Sequence, residues 1–192
     1  MSVCDGDAGA SLPPLSPPST RMAAPRPDKR FRALTPELLA SLSADDVADA
    51  VVQHVQLLVG DDWEREPDVV RALPPGVRAV YTTWLVDVEV NNGGFNQLFF
   101  NPAGQYAGDA LAGYELLGAE EYAAVMRAAI ATREAERERM APYYEADTAD
   151  MFEESYEHTE LGEVDQRYYA LGDAIYNVWA GAVRTRPELF VR

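Results

Sequence analysis

The densest chemistry in this sequence is carried by carboxylates. Nine lie between Glu145 and Asp165: Glu145, Asp147, Asp150, Glu153, Glu154, Glu157, Glu160, Glu163 and Asp165. No Lys or Arg falls between Pro142 and Gln166. The steps are mostly three or four residues, so a helix here sets Asp150, Glu153, Glu154, Glu157 and Glu160 along one side, about 5–6 Å apart. Like charges at that spacing weaken a helix by ~0.2–0.5 kcal/mol per pair. A cationic partner would relieve that repulsion. Phosphates recur along a nucleic-acid strand on a comparably regular path, so a protein that grips phosphates with Arg and Lys can grip such a row instead. The bland alternative is a solvated acidic loop. A third reading, a cation site, asks for oxygens converging on one point. These acids form a ladder without EF-hand spacing, and His158 near Glu160 has no second His to complete a zinc-like set.

A second polar constellation runs through Glu89-Val90-Asn91-Asn92-Gly93-Gly94-Phe95-Asn96-Gln97, with Trp84 and Leu85 before it and Leu98, Phe99 and Phe100 after. One reading is a small pocket in which Glu89, Asn91, Asn92 and Gln97 converge on a small molecule or metal. The favoured reading is structural. A buried helix end leaves orphan amides and carbonyls, Asn and Gln side chains satisfy them, and the glycines make the turn. Conventional catalytic groups are scarce. His54 sits next to Val55 on an apolar face and reads as a satisfied core or boundary histidine. Two histidines and the single Cys4 supply no nucleophilic triad. A carboxylate pair such as Asp87 and Glu89 could act as acid and base, but nothing in the spacing singles it out. The expectation is a protein that is not an enzyme and needs no cofactor or resident metal.

The elements that position these groups read as helices. Thr35-Pro36-Glu37 and Ser43-Ala44-Asp45-Asp46 are cap signals. Val47, Val51, Val55 and Leu58 mark the first long helix, which stops at Gly60. Val77, Val80, Tyr81, Trp84, Leu85 and Val88 mark the next, with its end expected at Asn91-Asn92-Gly93-Gly94. A short apolar helix over Phe95–Phe100 follows, then Tyr106, Ala110, Tyr114 and Leu117 on a helix closing at Gly118. A long helix is expected from Glu120 to Met140, with Tyr122, Val125, Met126, Ala129 and Ile130 inward. A final helix carries Val164, Tyr168, Leu171, Ile175, Val178 and Ala182 at bundle-seam spacing. No strand-like alternation competes. The predicted fold is all-α, a single-domain irregular bundle of six to eight helices over residues 33–192. Residues 1–32, crowded with Pro, Ser and Ala, read as a disordered tail.

The charge balance narrows the function classes. The 192 residues hold 32 acids and 16 bases, a formal charge of -16. Residues 1–32 take three of those acids and five bases, which leaves 29 acids and 11 bases, a net -18, on residues 33–192. Such a body repels nucleic acid and anionic membranes and attracts basic surfaces. With one cysteine, no apolar run near the ~20 residues of a membrane span and no signal-like start, a cytoplasmic protein is expected.

Glu89 to Phe100, E-V-N-N-G-G-F-N-Q-L-F-F, followed by Asn101, Gly104 and Tyr106, resembles the core motif of the bacterial DNA-mimic protein family. The similarity runs over roughly Val77 to Trp179, including the Gly118-Ala119 turn. It implies an all-helical fold without known catalysis and, in at least one member, inhibition of a DNA-binding transcription factor by charge mimicry. Glu89, Asn91, Asn92, Gly93, Gly94, Phe95 and Gln97 are then scaffold. The partner-binding surface expected here, Glu145, Asp147, Asp150, Glu153, Glu154, Glu157, Glu160 and Glu163, comes from this sequence alone. The expected partner is a basic, DNA-binding protein, with no direct contact to nucleic acid or membrane. An immunity or adaptor protein for some other basic partner shares the same electrostatics. A homodimer seam on the Tyr-rich last helix is also open.

Overall fold

The computed structural model describes residues 27–146 and 148–191, and among these it contains ten α-helices and no strand. They are α1 Pro36–Ala40, α2 Ala44–Val59, α3 Glu66–Arg71, α4 Pro75–Phe100, α5 Ala107–Leu117, α6 Glu120–Ala135, α7 Arg137–Ala146, α8 Ala149–Ser155, α9 Leu161–Tyr169 and α10 Ala174–Thr185. The starts follow the expected chemistry. Thr35 accepts from the Leu38 amide at 3.2 Å with Pro36 at the first helical position, and Ser43 accepts from the Asp46 amide at 3.3 Å. Gly118, at φ +76°, closes α5, and the Ala119 amide returns to the Tyr114 carbonyl at 2.8 Å.

One core runs through the bundle. α4 is its axis and packs on α5, α9 and α2, while α10 lies against α2 and α1. Val77, Val80, Tyr81, Val90, Phe95 and Leu98 from α4 are buried, with Tyr114 of α5, Met126 of α6 and Trp179 of α10. The buried indole of Trp179 donates to Thr83 Oγ1 at 2.9 Å, and that hydroxyl donates to the Ala79 carbonyl at 2.7 Å. A buried polar edge is thus satisfied inside the helix that carries it.

The helix count exceeds six to eight because both long helices expected after Gly118 are broken and a short helix forms between them. The stretch from Glu120 to Met140 divides at Glu136 into α6 and α7. The acidic stretch is not one helix but α8, a turn over residues 156–160, and the start of α9. The seam from Val164 to Ala182 divides after Tyr169, where Gly172 takes φ +57°. Seam spacing survived the break because Val164 and Tyr168 before it and Ile175 and Ala182 after it all face the same core. Leu171 and Val178 are only partly buried, and Trp179 takes the central place. Ile175 and Trp179 finish the monomer's own core, so the buried face of the last helix is already used within the chain.

Two further expectations shift. Val88, assigned to the core face, is exposed, because the helix turns that side outward before its kink. Residues 29–32, assigned to the tail, form a 3-10 turn that buries Phe31, whose carbonyl lies 2.8 Å from His54 Nδ1. His54 is therefore held at the boundary of the core. The remainder of the tail, residues 1–26, lies outside the described residues.

Asn91-Asn92-Gly93-Gly94 does not end a helix followed by a connector. It kinks α4, which resumes at once. Gly94 stands at φ +72°, ψ -177°, a region open in practice only to glycine. A Cβ there would also come within 2.8 Å of Asp165 Cγ. At Gly93, by contrast, an added Cβ meets the movable side chain of Gln97. Gly94→Ala is therefore expected to lower unfolding free energy by about 2 kcal/mol or more, and Gly93→Ala by clearly less. Urea denaturation of both variants checks this; equal losses would contradict it.

Candidate functional site

Breaking α4 at the glycines frees backbone groups, and three of them are met by side chains from α9 and the turn before it. The Phe95 amide donates to Asp165 Oδ1 at 2.7 Å. The Tyr156 hydroxyl donates to the Gly93 carbonyl at 2.7 Å, and the Tyr169 hydroxyl to the Val90 carbonyl at 3.0 Å. The polar side chains of the motif turn on one another. Glu89 Oε2 accepts from Gln97 Nε2 at 2.7 Å and from Asn101 Nδ2 at 2.8 Å, and Gln97 Oε1 accepts from Asn92 Nδ2 at 3.0 Å. Asn91 Nδ2 donates to the carbonyl and the carboxylate of Asp87, at 2.9 and 3.0 Å. This is a helix break satisfied from within: Glu89, Asn92, Gln97 and Asn101 bond one another, and Asn91 bonds Asp87. Among the described residues, no group of three or more His, Cys, Asp and Glu is arranged to hold a metal ion.

Two more buried contacts tie down the acidic stretch. Asn96, 1% exposed, donates to Ser155 Oγ at 2.7 Å and accepts from the Tyr144 hydroxyl at 3.1 Å. Glu136, 5% exposed, accepts from the Thr159 hydroxyl and from the Glu160 amide, both at 2.7 Å, with Arg139 2.9 Å from its Oε1. The turn over residues 156–160 is therefore pinned at its base by a carboxylate that has its own counter-charge. Sequence reading missed Glu136, Asn96, Ser155 and the two tyrosines. Nothing in charge spacing distinguishes Glu136 from its exposed neighbours Glu134 and Glu138.

On this base the expected binding residues take up different places. Glu145 lies near the end of α7; Asp150, Glu153 and Glu154 lie on α8; Glu157 is in the turn. Glu160 is the N-cap of α9 and Glu163 lies in its first turn. All seven are exposed. Asp147 lies outside the described residues. Among the described residues none of the seven pairs with Lys or Arg, and only Glu154 has a cationic candidate, His158 at 3.8 Å. Asp165 does not belong to the surface set. Burial raises its carboxyl above the ordinary range, partly offset by the Phe95 amide.

Beneath the kink is the other buried acid. Asp87, 6% exposed, accepts from the Tyr168 hydroxyl at 3.0 Å, and Tyr168 packs edge-on against Phe95 and Tyr122. Burial raises the Asp87 carboxyl, the hydrogen bonds from Tyr168 and Asn91 pull it back, and the charge of Asp173 raises it further. Asp87 and Glu89 bond to different partners, Asp87 to Tyr168 and Asn91 and Glu89 to Gln97 and Asn101.

The family model described as DMP19-like protein matches residues 71–184, a span running from the approach to α4 almost to the end of α10. The chain belongs to the DMP19-like protein family. The match covers more than half of the chain and contains both the kinked motif and the acidic stretch, so the resemblance read from E-V-N-N-G-G-F is borne out. No curated protein and no solved structure matches the chain. Residues 27–70, with α1, α2 and nearly all of α3, lie outside the DMP19-like span and pack on it through α1 and α2.

Asp87 makes stability depend on pH in a defined direction. Its folded pKa is raised, so the native state holds the proton longer than the unfolded chain does. Its contribution is complete below the unfolded value of about 4 and is lost as pH rises through the folded value. Asp87→Asn removes that loss while an amide oxygen still accepts from Tyr168. The stability of the variant relative to wild type is therefore expected to increase as pH rises above about 4 and to level off above the folded value, as read by urea denaturation at each pH. A constant difference would show that Asp87 does not titrate differently on folding.

Proposed function

We propose that this protein is a non-catalytic binding module that occupies the cationic groove of a DNA-binding protein, presenting carboxylates where phosphates would lie. The observation that supports this most is the set of exposed acids on α7, α8 and α9 without Lys or Arg partners. Membership of the DMP19-like family gives the same reading.

Helix electrostatics separates the acids with a folding reason from those without one. Asp150 and Glu163 lie in the first turns of α8 and α9, where the positive end of the helix dipole favours them. Glu153 and Glu154 lie in the last turn of α8, where the dipole and their mutual repulsion both oppose them, and Glu157 follows directly. Local stability would favour neutral or basic side chains at these three positions. A partner's Arg and Lys side chains supply the missing counter-charge, and such association weakens with salt because exposed charges are screened over about 8–10 Å at physiological ionic strength.

The test is capture from lysate on immobilised full-length protein at low salt, followed by elution with duplex DNA. Wild type is expected to retain nucleic-acid-binding proteins that DNA releases. The variant with Asp150, Glu153, Glu154 and Glu157 all changed to Lys is expected to lose them with its helical circular dichroism unchanged. Retained proteins that DNA does not displace, or equal retention by the variant, would overturn the reading.

A further inference from the structure

We propose that Tyr156, Tyr169 and Asp165 together form a receptor for one arginine side chain of the basic partner. This deepens the reading above and rests on it for the kind of partner.

Asp165 is the first observation. It is half-buried and held in place by the Phe95 amide on Oδ1. Among the described residues its other oxygen, Oδ2, has no donor, and it is not sealed from water. Among the described residues no Lys or Arg pairs with it. A carboxylate withdrawn this far from water normally has a cation beside it. Among the described residues there is none.

The two tyrosines are the second observation. They are the most exposed aromatic side chains among the described residues, at 41% for Tyr156 and 43% for Tyr169. Their hydroxyls are nonetheless tied to the carbonyls of Gly93 and Val90 at 2.7 and 3.0 Å, so the rings are fixed while part of their surface faces water. Both lie within electrostatic reach of Asp165, which pushes each hydroxyl further up after burial has raised it, to about 12 for Tyr156. The three anchors, on Val90, Gly93 and Phe95, bring two held rings and a carboxylate with a free oxygen to the same kink of α4, a set that suits a flat cation. A guanidinium stacks on tyrosine and donates to a carboxylate at the same time. A lysine ammonium is a compact, strongly hydrated charge that gains less from the rings. Since the rings and carboxylate are already positioned, little side-chain ordering is left for the complex to bear.

The test uses the full-length protein with octa-arginine and octa-lysine as probes, by calorimetric titration at about 150 mM salt. Wild type is expected to favour octa-arginine. Tyr156→Leu with Tyr169→Leu should weaken octa-arginine roughly tenfold, the size of one or two cation–π contacts, and octa-lysine less. The paired Phe variants, which keep the rings but lose their hydroxyl anchors, should weaken it less than the Leu pair does. Asp165→Asn, whose amide oxygen still accepts from Phe95, should weaken octa-arginine as well. Unchanged octa-arginine affinity in a folded Leu variant overturns the receptor. Should that variant fold poorly, the ring resonances of Tyr156 and Tyr169 in wild type decide: shifts on adding octa-arginine support the receptor, and none at either ring overturns it. The four-lysine variant separates the two ideas. Loss of octa-arginine there with none in the tyrosine variants overturns the receptor and leaves the acidic surface standing; loss in the tyrosine and Asn variants alone supports the receptor and counts against that surface.

Discussion

A helix that breaks inside a protein exposes amides and carbonyls that must be paired, because a buried unpaired backbone group costs about as much as a lost hydrogen bond. In this chain the break at Gly93 and Gly94 calls on Asp165, Tyr156 and Tyr169, all from the neighbourhood of α8 and α9. The acidic stretch is therefore built onto the kink. Close approach is possible because Gly94 has no Cβ; any side chain there would collide with the Asp165 carboxylate. The motif and the carboxylates, which look like separate features in the sequence, are two halves of one packing arrangement.

That arrangement accounts for how α8 persists as a helix of only seven residues with acids at both ends. Isolated helices of this length are unstable in water even without repulsion. Here the stabilisation comes from the side facing inward. Ser155 is fully buried and bonded to Asn96, and the Phe152 ring lies tilted 4.7 Å from Phe100 and edge-on 5.1 Å from Tyr156. Glu136, reaching from the junction of α6 and α7, holds the following turn. The exposed carboxylates contribute nothing to these contacts, which leaves them free to serve binding.

The helical periods were legible in the sequence where one face meets the core without interruption. Val47, Val51 and Val55 on α2, and Tyr106, Ala110, Tyr114 and Leu117 on and just before α5, are buried as their spacing requires. The breaks were less legible. Gly172 gave a local hint, but apolar spacing across it stayed regular and concealed the gap between α9 and α10. The motif's internal satisfaction was readable from its Asn and Gln content beside paired glycines. Its partners were not, since they lie 59 to 79 residues away in the chain. Asp165 shows the limit most clearly. By spacing it is the ninth acid of a row; by position it is an internal cap, and only the tertiary path separates the two roles.

The division of the acidic stretch into α8, a turn and α9 also bears on what kind of polyanion it resembles. A single helix would repeat its charges at one interval, as a strand of nucleic acid repeats phosphates. The actual acids change axis at residues 156–160, so no one helical interval runs from Asp150 to Glu163. A partner that needed phosphates in strict register would find matching charges over only part of this surface. A partner that responds chiefly to the summed negative field would not be affected by the turn, because at separations near the screening length the field depends on total charge more than on placement. The mimicry proposed here is therefore of a polyanion's field, with geometric selectivity left to fixed features such as the Tyr156–Asp165–Tyr169 group. Long-range attraction would bring a basic groove to the surface, and short-range stacking would set its register.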